Sequence, residues 1–293
     1  MENCSIKEIE NGNLNDVYLL IINNNKFIIR VSQNINSFEV NALKCLNKDN
    51  LNIPLLLGNM EYNDKFITIL KYIDGIEPNE LNYQQLESLA VLVKRINNII
   101  IDDLKNADNQ PIENIEKLKD YFNVSKNSEY LKAYKSYFSV MINLFSTIQF
   151  NKLGYSLIHS DIKKTNMLVN GIDVYLIDFG NCYLGSRIIE IVRIIMWLFL
   201  KDGLYDFDKI SFFVKKYFED NQITEDEEEN LSLLIRFCLS YNVIKDVYLY
   251  ENRQLDKQYI ELNDLKWIEI LKNEQLLNKI EEVIKNVSRC SQK

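Results

Sequence analysis

One stretch of the chain, residues 157–181 (LIHSDIKKTNMLVNGIDVYLIDFGN), constrains the fold more than any other. Two apolar runs within it, 167–169 and 174–177, are typical of short buried strands, and the Asn170-Gly171 pair between them predicts a tight turn. A hairpin of this kind places the residues before its first strand beside those that follow its second strand. We therefore expect polar side chains from both ends of the hairpin to meet at one edge.

Five polar residues stand at the open ends of the hairpin, and three of them, Asp161, Asn166 and Asp178, are predicted to meet at this edge. His159, Asp161, Lys163 and Asn166 precede the first strand, and Asp178 follows the second. Phosphoryl transfer from a nucleotide needs a carboxylate that orients and deprotonates an incoming hydroxyl, together with oxygen ligands for Mg²⁺ on the phosphates. Asp161, Asn166 and Asp178 offer these groups. A buried hairpin flanked by solvated carboxylates is the alternative interpretation.

The composition excludes several other classes of protein. The 293 residues carry a net charge of −8 and contain no sustained basic stripe, so we expect no nucleic-acid partner. The five cysteines are scattered without metal-binding spacing, and His159 is the only histidine, which favours a reduced cytoplasmic protein without structural zinc. The most apolar stretch, 188–200, is interrupted by Glu190 and Arg193 and is too short to span a bilayer, so no membrane association is expected.

The pattern His-x-Asp-x-x-x-x-Asn followed by Asp-Phe-Gly resembles the catalytic and metal-binding segments of the protein-kinase-like fold. It is most similar to the aminoglycoside phosphotransferase and choline kinase family of small-molecule kinases. The resemblance implies an α+β, two-lobed fold, with a small antiparallel-sheet lobe over residues 1–72 and a larger, mostly helical lobe over residues 73–293. It also implies ATP or GTP as the co-substrate and Mg²⁺ as the cofactor.

The same resemblance assigns roles to the five polar residues. Asp161 would be the catalytic base, and Lys163 would contact the γ-phosphate. His159 would be a structural member of the catalytic loop and not the base. Asn166 and Asp178 would be the metal ligands.

The nucleotide phosphates are expected near the N-terminus. Residues 17–31 predict two strands around an Asn-rich turn, and the preceding loop matches the family's phosphate-covering loop at Gly12 and Asn15. Arg30, near the end of the second strand, stands where many relatives have a lysine on the α- and β-phosphates, and Glu39 on the next predicted helix would pair with it. The alternatives are a plain turn, a surface arginine and an exposed, unpaired glutamate.

Adenine recognition is implied by resemblance alone. Residues 66–75 predict an apolar strand that breaks at Asp74-Gly75, where the two lobes of such a kinase meet. The backbone of Lys71 and Ile73 would then bind the adenine, and Leu70 would line its pocket.

The segment that follows Asp178-Phe179-Gly180 distinguishes between classes of acceptor. A helical pattern begins almost at once, which leaves no room for the long segment with which a protein kinase presents a polypeptide. The prediction is therefore phosphorylation of a hydroxyl on a small molecule. An aminoglycoside-type antibiotic is favoured, which would make the protein an antibiotic-resistance enzyme, and an amino alcohol such as choline or homoserine is the alternative. A protein kinase and a catalytically silent nucleotide-binding scaffold remain further alternatives, and the sequence indicates no oligomeric state.

Overall fold

An antiparallel sheet is formed by the first strands of the chain. In the computed structural model, which describes residues 4–9, 16–33, 36–100, 102–104, 109, 111–201 and 203–290, this sheet has five strands in the order β1-β2-β3-β5-β4. They are β1 (Cys4–Ile9), β2 (Asp16–Ile22), β3 (Asn25–Ser32), β4 (Leu56–Tyr62) and β5 (Lys65–Lys71). The predicted Asn-rich turn joins β2 to β3, with Asn23 and Asn24 at φ values of 49° and 67°. Asparagine tolerates this left-handed conformation, which a two-residue hairpin turn requires.

Two helices lie in the same part of the chain as the sheet, and each has an asparagine as its N-cap residue. They are α1 (Ser37–Leu46) and α2 (Tyr83–Asn97). The Asn36 side chain accepts a hydrogen bond from the Glu39 amide at 3.1 Å, and the Asn82 side chain accepts one from the Gln85 amide at 3.0 Å. Each bond satisfies one amide that the first helical turn leaves without an intrahelical partner.

The predicted hairpin forms. After the short strand β6 (Ser156–Ile158), β7 (Met167–Asn170) pairs antiparallel with β8 (Asp173–Leu176), from Met167 opposite Leu176 to Asn170 opposite Asp173. The turn therefore lies at residues 171–172, one position later than predicted, because Asn170 pairs within the ladder. Gly171 takes a positive φ of 61° there, a conformation that glycine adopts without steric cost.

The described residues form two compact units. The first unit contains those within Met1–Asn109 and Ser156–Tyr183, and the second contains those within Gln110–Tyr155 and Leu184–Lys293. The five-stranded sheet, α1, α2 and the hairpin all belong to the first unit. The antiparallel sheet together with the many helices confirms the predicted α+β class. The lobe boundary after Tyr72 stays a prediction.

The second unit is helical and is organised around one long helix, α7. The helices of this part of the chain are α3 (Ile115–Ser125), α4 (Lys135–Phe145), α5 (Arg187–Leu198), α6 (Phe207–Phe218), α7 (Glu225–Glu251), α8 (Lys257–Asn263), α9 (Leu265–Lys272) and α10 (Glu274–Cys290). The remaining strands are β9 (Tyr183–Gly185), β10 (Leu200–Lys201) and β11 (Leu204–Tyr205). Helix α7 contacts α3, α4, α5, α9 and α10. Within the described residues, no helix combines the length and the apolar character needed to cross a membrane.

Candidate active site

The Asp161 carboxylate is held by two neighbours from the same loop. The Asn166 side-chain amide donates to the Asp161 backbone oxygen and to its carboxylate Oδ2, both at 2.9 Å. The Lys163 ammonium lies 3.0 Å from the same Oδ2. Because both Asn166 bonds use the amide nitrogen, the buried Asn166 side chain keeps its amide oxygen as an acceptor.

Ile177 joins the two ends of the hairpin. Its amide donates to the Asn166 backbone oxygen at 3.0 Å, and its carbonyl lies 3.0 Å from His159 Nε2. Asp178 follows Ile177 directly, so these bonds fix the position from which the Asp178 side chain departs. The structure thus brings Asp161, Asn166 and Asp178 to one edge, as the hairpin predicts.

His159 is fully buried, and the partners of its ring nitrogens define its state. The Asp161 amide donates to Nδ1 at 3.3 Å, so Nδ1 accepts and Nε2 carries the proton that it donates to the Ile177 carbonyl. Burial lowers the pKa of His159 and outweighs the opposing charge of Asp161. The ring also packs against Phe179, with 4.5 Å between the ring centroids. A neutral ring with this arrangement stabilises the loop and is not placed to accept a proton from a ligand.

Arg30 and Glu39 form a largely buried ion pair. Arg30 Nη2 lies 2.5 Å from Glu39 Oε2, and the two side chains are 14% and 3% exposed. Burial by itself lowers the pKa of Arg30. The hydrogen bond to Glu39 and the charges of Glu39 and Asp178 raise it by more, so the net pKa is raised and the guanidinium stays charged. Arg30 Nη1 also lies 4.0 Å from Asp178 Oδ1, a contact that the sequence did not indicate.

Asp178 has an unusual backbone for a residue other than glycine. Its φ and ψ are 62° and 73°, in the left-handed region. The Gly180 amide donates to Asp178 Oδ1 at 3.4 Å, and the side chain is half exposed. The carboxylate is therefore anchored on one oxygen and remains accessible to a ligand.

The segment after β5 differs from its prediction in length. The strand ends at Lys71 and does not continue to Asp74, because its last partner in the sheet is Phe27 of β3. Beyond that pair, the Tyr72 amide donates to the Lys26 carbonyl at 3.3 Å. The backbone beyond Tyr72 has left the ladder, as a backbone site for a ligand requires.

Of the predicted adenine-binding residues, Leu70 and Lys71 are the last two residues of β5, and Ile73 lies in the irregular segment. The Lys71 amide donates to the Leu55 carbonyl at 2.9 Å, whereas the Ile73 amide donates to no backbone carbonyl among the described residues. Leu70 is buried. Lys71 and Ile73 line a pocket of about 380 Å³, and Leu70 is not among its lining residues. The others that line it are Asn47, Asn50, Leu51, Ile53, Leu55, Tyr72, Asp74, Asn170 and Tyr175.

Gly75 allows the same segment to approach the hairpin closely. A Cβ at this position would meet the Leu168 Cβ at 3.0 Å and the Val169 carbonyl oxygen at 3.1 Å. Ile76 then exchanges two backbone hydrogen bonds with Val169, at 2.8 and 3.0 Å. This bridge fixes the predicted adenine segment relative to β7.

The remaining predictions concern the phosphates and the metal. Gly12 and Asn15 lie outside the described residues, so their assignment stays a prediction. In the described part of the chain, no group of three or more histidine, cysteine, aspartate or glutamate side chains could hold a metal. An amide oxygen from Asn166 and a carboxylate from Asp178 fit Mg²⁺ instead, because Mg²⁺ uses few protein ligands and completes its shell with substrate phosphates and water.

These features together define a class of protein. A five-stranded antiparallel sheet, a strand arginine paired with a helix glutamate, and an aspartate–asparagine loop followed by Asp-Phe-Gly are the parts of a kinase-like phosphotransferase. The chain belongs to the phosphotransferase enzyme family, whose model matches residues 5–208. A sequence search of curated proteins finds no match.

Solved structures with the same fold are distant in sequence. A putative aminoglycoside phosphotransferase from Ralstonia eutropha has a TM-score of 0.68 at 10% identity, over 98% of this chain and 94% of that chain. Spectinomycin phosphotransferase, solved with ADP and spectinomycin, has a TM-score of 0.60 at 16% identity, over 96% and 92%. The GDP complex of aminoglycoside 2'-phosphotransferase-IIIa has a TM-score of 0.58 at 14% identity, over 94% and 92%. At these identities, the likeness shows the fold.

Proposed function

We propose that this protein transfers the γ-phosphoryl group of ATP or GTP to a hydroxyl of a small molecule, in a reaction that depends on Mg²⁺. The observation that carries the proposal is the Asp161 carboxylate, held by Asn166 and Lys163 at the edge where Asp178 also lies. An aminoglycoside-type antibiotic is the favoured acceptor.

Asp161 acts on the acceptor. Its carboxylate orients the hydroxyl and takes the proton as the hydroxyl oxygen forms a bond to the γ-phosphorus. The bond between that phosphorus and the β–γ bridging oxygen breaks, and the nucleoside diphosphate leaves. Asn166 and Lys163 hold the carboxylate in place, so little side-chain freedom is lost when the acceptor binds.

Four residues hold the metal or contact the phosphates, and so balance the negative charge of the nucleotide. The amide oxygen of Asn166 and the carboxylate of Asp178 would hold Mg²⁺, which neutralises charge on the phosphates when bound. Arg30 binds the α- and β-phosphates, because its charge is retained and its planar fork suits phosphate oxygens. Lys163 contacts the γ-phosphate from its position beside Asp161.

The short distance along the chain between the Asp-Phe-Gly segment and α5 supports a small acceptor. Helix α5 begins at Arg187, only seven positions after Gly180 (187 − 180). A protein kinase needs a long segment here to present a polypeptide. The structural neighbours include enzymes solved with spectinomycin and with hygromycin B, which supports an antibiotic acceptor for this chain as well.

The test is nucleotide consumption with Mg²⁺, measured with ATP and with GTP against aminoglycosides, macrolides, choline, ethanolamine, homoserine and sugars. Asp161→Asn should lower turnover by about 100-fold or more while nucleotide still binds, because it removes the proton acceptor. Asp173→Asn is the matched control. It removes an exposed carboxylate from the turn end of the same hairpin and should leave turnover unchanged.

The outcomes separate the alternatives. Turnover with one acceptor that depends on Asp161 supports the proposal and identifies the substrate. Nucleotide binding in a thermal-shift assay without turnover on any acceptor would favour the silent scaffold, and phosphorylation of generic peptides would favour a protein kinase. Failure of both nucleotides to bind would refute the kinase assignment.

A further inference from the structure

The Asn36 side chain contacts two different parts of the candidate site. Its oxygen caps α1 by accepting from the Glu39 amide at 3.1 Å. Its nitrogen donates to the carbonyl oxygen of Gly180 at 2.7 Å, across 144 positions of sequence. A cap needs only an acceptor, which serine or threonine also supplies. The hydrogen bond from the amide nitrogen to Gly180 is therefore not needed to cap α1.

Asn36 and Asp178 belong to one closed ring of hydrogen bonds and charge contacts. Gly180 donates its amide to Asp178 Oδ1 at 3.4 Å, and the same oxygen lies 4.0 Å from Arg30 Nη1. Arg30 in turn pairs with Glu39, whose amide bonds to Asn36. The ring thus links β3, the first turn of α1 and the segment after β8, all within the first unit.

The backbone of Asp178 explains why such a link matters. Its left-handed conformation is unfavourable for a residue with a side chain and persists only where surrounding contacts hold it. The bond from Asn36 to the Gly180 carbonyl fixes the chain two residues beyond Asp178, and the bonds of Ile177 fix it one residue before. The bond from Asn36 is therefore one of several contacts that hold the strained residue, beside the bonds of Ile177 and the packing of Phe179 on His159.

We propose that Asn36 is a positioning residue, which holds the Asp178 carboxylate in its metal-binding orientation through Gly180 and links it to the Arg30–Glu39 ion pair. The inference rests on the proposed function, because it needs Asp178 to bind the metal of a metal–nucleotide complex. The bond from Asn36 to Gly180 is solvent-exposed, so its loss has little effect on folding. Loss of this bond instead changes the orientation of the Asp178 carboxylate.

The test compares two asparagine caps in the same unit. Asn36→Ser keeps an acceptor for the helix but loses the amide donor to Gly180. Asn82→Ser is the matched control, because Asn82 caps α2 through the same kind of bond and has no bond to the Asp-Phe-Gly segment. For each purified variant, the dissociation constant of Mn²⁺ is measured by electron paramagnetic resonance in the presence of saturating ADP, and the melting temperature is measured alongside.

We expect Asn36→Ser to weaken Mn²⁺ binding about two- to tenfold, the range that one exposed hydrogen bond supports. Its melting temperature should shift no more than that of Asn82→Ser, which should bind Mn²⁺ like the wild type. Gly180→Ala tests the same ring of contacts at Gly180, where it joins Asp178. A Cβ there would lie 3.2 Å from Asp178 Oδ1 and should also weaken Mn²⁺ binding.

Two results would overturn the inference, and they differ in what else they affect. Wild-type Mn²⁺ affinity in Asn36→Ser would show that the contact with Gly180 does not position Asp178, while the proposed function stands. Absence of Mn²⁺ binding in the wild-type ADP complex would refute the metal site itself, and the role of Asn36 with it.

Discussion

The single histidine of the chain makes the protonation state of the candidate catalytic loop directly measurable. His159 is buried, donates through Nε2 and accepts through Nδ1, so protonation of the folded state would place a charge in the interior and break the bond from the Asp161 amide. In the unfolded chain the pKa of a histidine is about 6.5. Its folded pKa is lowered, so the unfolded state binds more protons in the window below about pH 6.5.

The sign and the size of the effect follow from this difference. The stabilisation from neutral His159 is fully present above the unfolded pKa and decreases as the pH falls below it. Between about pH 7 and about pH 5.5, the contribution of this one group to the free energy of unfolding falls by at most about 1.3 kcal/mol, the limit for a folded ring that takes up no proton in that range.

The assay is urea unfolding at both pH values for the wild type and for His159→Asn. The wild type should lose more stability than the variant on acidification, by at most about 1.3 kcal/mol, because contributions of other titrating groups are common to both proteins. In NMR spectra the ring resonances of the only histidine should titrate at a pH below the ordinary histidine pKa of about 6.5. Equal losses in both proteins, or a ring that titrates near its ordinary pKa, would refute the neutral, buried state.

Three further predictions test other buried charges and one cap. The Asp264 carboxyl is raised in pKa to about 8 by burial and by the charge of Asp246, so its contribution to stability is present at low pH and is lost as the pH rises towards 8. In urea unfolding the wild type should lose up to about 1.4 kcal/mol per pH unit relative to Asp264→Asn between about pH 5 and pH 7; parallel pH profiles would contradict this. Glu39→Gln removes the charge that pairs with Arg30 and leaves Asp178, at 4.0 Å, as its ion-pair partner among the described residues, so we expect a loss of about 3 kcal/mol in urea unfolding and weaker ADP binding by calorimetry; unchanged ADP affinity would show that the phosphate site does not depend on this ion pair. Thr224→Ala removes the capping box of α7 and should cost about 1 kcal/mol in urea unfolding with turnover unchanged; no loss of stability would contradict the role of the cap.

The parts of the fold that sequence predicts correctly depend on neighbours along the chain. The turn at Asn23 and Asn24, the hairpin of β7 and β8 and the helix from Ser37 to Leu46 all follow from local turn chemistry or hydrophobic periodicity. The hairpin alone brings three polar residues of the site together. The strand β5 ends at Lys71, before the break predicted at Asp74-Gly75, because strand length depends on partners in β3 that the strand's own sequence does not reveal.

The parts that sequence does not predict join residues far apart in the chain. The contact of Arg30 with Asp178 spans 148 positions (178 − 30), and that of Asn36 with Gly180 spans 144. Asparagine directly before a helix is a familiar cap signal, so one half of the role of Asn36 could have been anticipated. Its second contact has no local signal, because it depends on how α1 packs against the segment after β8.

Under the proposed function, the charges around Arg30 predict that metal and nucleotide bind together. Arg30 is shared between Glu39, at 2.5 Å, and Asp178, at 4.0 Å. A divalent cation on Asp178 alone would lie close to the Arg30 guanidinium, and the two like charges would repel each other in a partly buried site. Phosphate oxygens between them remove this repulsion, because each oxygen can face both the cation and the guanidinium. The positive charge of Arg30, which Glu39 helps to maintain, therefore disfavours the metal on its own and favours it together with the nucleotide.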